Sequence, residues 1–113
     1  MKSKILALSN NEDFKNLIKK KKLSNKYVTI FFGILSNKNK EKLNISFVTK
    51  KKIGNAVQRN KIKRRLRNIT NDASKNKIIK FYYSYLVIAK TTMLNNDYTK
   101  IKETLFQTFK EIE

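Results

Sequence analysis

The chain has 113 residues and sets 27 Lys and Arg against 8 Asp and Glu, a formal charge of +19 at neutral pH. With 40% hydrophobic and 11% aromatic residues it is too apolar for a disordered polycationic tail, and its length suits one core-burying domain, residues 1–113. It contains no histidine and no cysteine, which excludes imidazole catalysis, thiolate nucleophiles, disulfides and the commonest transition-metal ligands.

No apolar run approaches the about 20 residues that cross a bilayer, and the opening Met1–Leu8 reaches polar Ser9 too soon for a signal segment, so the reading is cytoplasmic. Ser9-Asn10-Asn11-Glu12 has the capping-box pattern, and Phe14, Leu17 and Ile18 follow at helical spacing. This predicts a first helix over 10–21, its end marked by the lysines 19–22. Residues 27–35, Tyr-Val-Thr-Ile-Phe-Phe-Gly-Ile-Leu, predict a strand that could divide in two. A polar hairpin loop over 36–42 leads to Leu43, Ile45 and Phe47, which alternate with Asn44, Ser46 and Val48 as in a half-buried strand. The simplest arrangement of these two strands is an antiparallel pair.

Gly54-Asn55 breaks that pattern, and Ile62, Leu66 and Ile69 introduce a helical period. Residues 71–77 read as a loop and 85–89 as a strand buried on both faces. Tyr98, Ile101, Leu105, Phe109 and Ile112 mark one face of a last helix, most simply its core side. The predicted class is α+β, in the order α-β-β-(β)-α-β-α.

The chain otherwise uses lysine almost everywhere, yet its four arginines, Arg59, Arg64, Arg65 and Arg67, fall within nine consecutive residues. From Lys50 to Arg67 there are nine cations, and no carboxylate stands between Glu41 and Asp72. At about 100° per residue the helix sets Ile62, Leu66 and Ile69 on one stripe and Asn60, Lys63, Arg64 and Arg67 opposite it, with Arg59 and Arg65 at the flanks. An ordinary solvated face mixes charge signs, because opposite charges three or four apart help by about 0.2–0.5 kcal/mol and like charges cost as much. Here Lys61-Arg65 and Lys63-Arg67 are like pairs. The repulsion points to a polyanionic partner, and arginine adds bidentate phosphate contacts that lysine lacks. Gly54-Asn55, just before the helix, makes a tight turn whose backbone amides could meet a phosphate, although such a pair is more often only a turn.

The segment Lys51-Lys52-Ile53-Gly54-Asn55-Ala56-Val57-Gln58-Arg59-Asn60-Lys61-Ile62-Lys63-Arg64-Arg65-Leu66-Arg67 resembles the motif of the bacterial ribonuclease P protein family, Lys-Lys-x-Gly-Asn-Ala-Val-x-Arg-Asn-Arg-x-Lys-Arg. Lys61 departs from the central Arg-Asn-Arg; it keeps the charge but weakens bidentate contact. Asn11-Glu12-Asp13-Phe14 resembles the family's first helix, and Tyr85–Lys90 its late strand with a following basic residue. The resemblance implies an α-β sandwich with a left-handed β-α-β crossover, opposite to the usual hand. It implies an accessory subunit, monomeric and 1:1 with a catalytic RNA, that helps this RNA and its magnesium ions remove the 5′ leader of precursor tRNA. Lys51, Lys52, Asn55, Arg59, Asn60, Lys61, Lys63, Arg64, Arg65 and Arg67 would then bind RNA, with no catalytic residue and no cofactor on the protein.

A cleft between first helix and sheet would hold the leader, with Phe14, Tyr27 and Phe31 as stacking faces and Lys90 beside them. Core packing is the competing role for these aromatics. Tyr27, Thr29 and Phe31 share one strand face and Val28, Ile30 and Phe32 the other, so the cleft face stays open; where some relatives carry a second helix aromatic, this chain has Ile18. The adjacent carboxylates Glu12 and Asp13 point about 100° apart on a helix, which suits helix-start compensation better than a metal site. A basic rRNA-binding or ribosome-assembly protein is the alternative. A DNA-binding module ranks third, and a membrane-surface protein last, because the basic helix has only a narrow apolar stripe.

Overall fold

The run of apolar residues at 85–89 takes the centre of the molecule. A computed structural model describes residues 5–6, 11–35 and 42–112. Among these the strands are β1 (Ile5–Leu6), β2 (Lys21–Ser24), β3 (Val28–Gly33), β4 (Leu43–Val48) and β5 (Ser84–Ala89). The helices are α1 (Asn11–Ile18), α2 (Ala56–Lys75) and α3 (Tyr98–Glu111), with short 3₁₀ turns at Lys51–Ile53 and Thr91–Met93. The strands form one mixed sheet in the order β1-β4-β5-β3-β2, which bears out the α+β class.

β5 runs antiparallel to β3 and parallel to β4, its Val87 standing between Ile30 and Phe47. The expected β3–β4 pair is therefore corrected. A strand apolar on both faces gains most where both are covered, so β5 displaces the direct pairing. Tyr85, Val87 and Ala89 enter the main core with Leu66 and Ile69 of α2 and Leu105 and Phe109 of α3. Leu86 and Ile88 face the other way, onto Phe14 and Leu17 of α1. The result is three layers: α2 and α3, the sheet, then α1.

Other boundaries shift for identifiable reasons. The first helix stops at Ile18 rather than continuing to 21, and Lys21 and Lys22 belong to an edge strand. Consecutive lysines repel along a helix, whereas at a sheet edge they point into water and discourage further pairing. The extra strand is thus β2 and not a division of 27–35. Gly33 is needed there because a Cβ would lie 2.8 Å from Cγ of Lys20. The loop expected over 71–77 is also corrected: α2 continues to Lys75 because Thr70 and Ala73 extend its buried stripe. The expected hairpin tip at 36–41 and the Ser9-Asn10 part of the capping box lie outside the described residues. No helix among the described residues is long and apolar enough to cross a membrane.

One turn fastens the sheet edge to α3. The Asn25 carboxamide oxygen accepts from the amides of Tyr27 (2.7 Å) and Val28 (2.9 Å), and its Nδ2 donates to Thr108 Oγ1 at 2.9 Å. Removing the carboxamide strands the two amides, while the buried Thr108 hydroxyl loses its incoming bond and keeps its own donation to the Thr104 carbonyl at 2.9 Å. Asn25→Ala is expected to lower stability by about 1–3 kcal/mol in urea denaturation; a loss within experimental error would mean that the turn holds without it.

Candidate nucleic-acid interface

The structure gives α2 the two faces that its period demands. Ile62, Leu66 and Ile69 are buried, while Asn60, Lys61, Lys63, Arg64 and Arg67 are exposed and Arg59 and Arg65 are half-buried at the flanks. Lys50, Lys51 and Lys52 continue the exposed cations ahead of the helix, where Ile53 is buried and pins their turn. Among the described residues none of these nine cations forms an ion pair. An ion pair does join the neighbouring elements: Lys102 Nζ of α3 donates to Asp72 Oδ2 of α2 at 2.8 Å, and this bond raises the lysine pKa. Arg59 Nε is buried without a hydrogen-bond partner, so the inner end of this guanidinium lies against the protein at the flank.

At the start of α2 the Asn55 side chain accepts from the Gln58 amide, and the Gln58 side chain accepts from the Asn55 amide, each at 2.9 Å. This reciprocal cap takes up the side-chain oxygen of Asn55 and two backbone amides at the helix start. Gly54 is extended, and a Cβ there would displace the Gln58 carboxamide from its cap on Asn55. The Gly-Asn pair thus shapes the helix start. Next to it Val57 is 78% exposed, an apolar side chain set among cations.

The cleft residues separate. Phe14 and Phe31 pack in one cluster on the α1 side of the sheet. Tyr27 is not with them: it is 3% exposed and belongs to the main core on the opposite side, with Lys26 Nζ 5.7 Å from its ring centroid. The alternation that placed it beside Phe31 fails because β3 begins only at Val28. Lys90 is committed locally, donating to Ser24 Oγ at 2.8 Å and to the Asn25 carbonyl at 2.6 Å. Glu12 and Asp13 both lie in the first turn of α1, Glu12 exposed and Asp13 buried. No cluster of three or more potential metal-binding side chains occurs among the described residues.

What sequence did not show is a groove of about 220 Å³ shared by three elements. Phe14 of α1, Ser46 and Val48 of β4, and Lys63 and Arg67 of α2 all line it. Residues expected in two different places, the helix ridge and the aromatic cleft, therefore meet along one wall. The half-buried Ser46 and Val48 were the available signal, since a polar alternate face loses its solvent once α1 covers it.

Comparison with known proteins agrees with this architecture. A family model described as Ribonuclease P matches residues 3–113. The ribonuclease P protein component of Carboxydothermus hydrogenoformans is 30% identical over 112 residues, covering 96% of this chain and 91% of the relative. That of Bacillus pumilus is 30% identical over 105 residues, covering 92% and 85%. Among solved structures, the RNase P protein from Thermotoga maritima superposes with a TM-score of 0.78 at 28% identity, covering 96% of this chain and 98% of that one. The Staphylococcus aureus RNase P protein gives a TM-score of 0.70 at 29% identity, with 92% of each chain covered.

The contacts of Lys90 lead to a stability prediction. Its ammonium clamps the turn between β2 and β3, so Lys90→Met, which keeps the aliphatic stem, should lower the urea midpoint by the equivalent of about 1–3 kcal/mol. An unchanged midpoint with lost RNA affinity would instead make Lys90 a ligand contact.

Proposed function

The chain belongs to the ribonuclease P protein family, and from that premise we propose how it serves the assembly: the exposed ridge of α2 docks on the catalytic RNA, and the α1 side of the sheet holds the single-stranded 5′ leader of precursor tRNA. The observation that carries this reading is a helix face with exposed cations and no acidic partner among the described residues. A polyphosphate relieves the repulsion along that face and releases its own counterions on binding. The groove supports the second half, since Phe14 offers a ring to a base while Lys63 and Arg67 offer charge to the adjoining phosphates. Phosphodiester cleavage is assigned to the RNA and its magnesium ions, with one protein per RNA, in the cytoplasm. The protein's own residues bind and orient. Tyr27 is left out of the leader contacts, and Lys90 takes part by holding the turn.

Reconstitution tests the whole reading: the purified protein added to a bacterial ribonuclease P RNA at low magnesium should raise precursor-tRNA cleavage, and no stimulation would refute it. If the ridge touches phosphate, Arg64→Ala should flatten the plot of log affinity against log salt by about 0.7–0.9, the slope that one neutralised phosphate carries. An unaltered slope would place Arg64 off the RNA. Phe14→Ala should weaken precursor tRNA by about 1–3 kcal/mol relative to mature tRNA, whereas equal losses for both would leave Phe14 a core residue only.

A further inference from the structure

A leader lying against Phe31 stands one strand from the free edge of the sheet, which is β2. Directly opposed residues of an antiparallel pair share a face. Lys22, opposite Phe31, therefore stands on the α1 side, and Lys21, opposite Phe32, on the α3 side; both are exposed. Around that edge the rings form a series. Phe32 meets Tyr83 edge-on with centroids 5.3 Å apart, Tyr83 lies 4.5 Å from Tyr82, and Tyr85 backs Tyr83 at 6.2 Å. Tyr82, the outermost, is 53% exposed. A groove of about 380 Å³, lined by Lys21, Lys22, Leu23, Phe32 and Glu111, meets the series at Phe32.

We propose that the β2 edge and Tyr82 form a second surface for single-stranded RNA, occupied by the part of the 5′ leader farthest from the cut. This rests on the leader reading above. The strand leaves Phe31, crosses the edge with phosphates beside Lys22 and Lys21, and sets a base on Tyr82. Among the described residues no strand pairs with the outer side of β2, yet its lysines oppose pairing with the same edge of a second copy, where like charges would meet. Nucleic acid suits them. The Tyr82 ring already rests on Tyr83, so ordering it under a base costs little side-chain freedom. Among the described residues Glu111 is the one acidic group lining the groove, and its carboxylate works against a phosphate there.

The test uses the reconstituted ribonucleoprotein with precursor tRNAs carrying leaders of about 4 and about 16 nucleotides, the span of single-strand site sizes on small domains. Tyr82→Ala should weaken binding of the long-leader substrate by about fivefold or more, with no matching loss for the short one, and Tyr82→Phe should restore it. Glu111→Gln should tighten the long-leader substrate selectively, a gain that misfolding cannot mimic. Long-leader affinity unchanged in both Tyr82→Ala and Glu111→Gln overturns the second surface. Phe14→Ala in the same assay separates the two readings. A Phe14 effect with neither a Tyr82 nor a Glu111 effect removes only the edge surface; a Tyr82 effect without a Phe14 effect keeps the edge and removes the cleft path; no effect from any of the three removes both.

Discussion

Three buried side chains, Ile62, Leu66 and Ile69, hold a helix against the sheet while its opposite face repels itself. Each contributes about 1.5–3 kcal/mol by leaving water, whereas each like-charge pair on the exposed face costs only about 0.2–0.5 kcal/mol. Packing wins by a wide margin, so the helix stays formed without acidic partners. The cations are thereby left for an external anion, and a folded RNA is the anion that the family supplies.

The sheet decides where that helix lies relative to α1. Because β5 takes the central position, β4 is pushed outward to the flank where α2 crosses. β1 pairs with Leu43 and Asn44, and farther along β4 Ser46 and Val48 line the groove. Phe14 from one layer and Lys63 and Arg67 from the other line that groove together. An aromatic ring and two cations then face one space, although they sit about 50 residues apart in the chain.

Much of this was legible in the sequence because the strongest signals are local. The period of Ile62, Leu66 and Ile69 marked the buried stripe of α2, and the clustered arginines marked its other face. The unbroken apolar run at 85–89 read correctly as a strand covered on both sides, but its neighbours did not follow from it. Which strands adjoin depends on nonlocal desolvation, so the β3–β4 pairing failed. The lysines at 21 and 22 were misassigned because a cationic helix end and a cationic sheet edge have the same composition. Tyr27 failed by one residue of register, since alternation identifies a face only after the strand's first residue is known. Asn25 carried no sequence signal beyond a turn; its role needs Thr108, 83 positions away.

The stored repulsion can be measured on the free protein. Arg64 lies three residues from both Lys61 and Arg67, so Arg64→Glu replaces two like pairs with two attractive ones. Urea denaturation of the isolated protein at low salt should show this variant more stable than the parent by about 0.8–2 kcal/mol, while its affinity for ribonuclease P RNA falls. Equal or lower stability would mean that the ridge is already balanced without RNA, and the central account of α2 would be wrong.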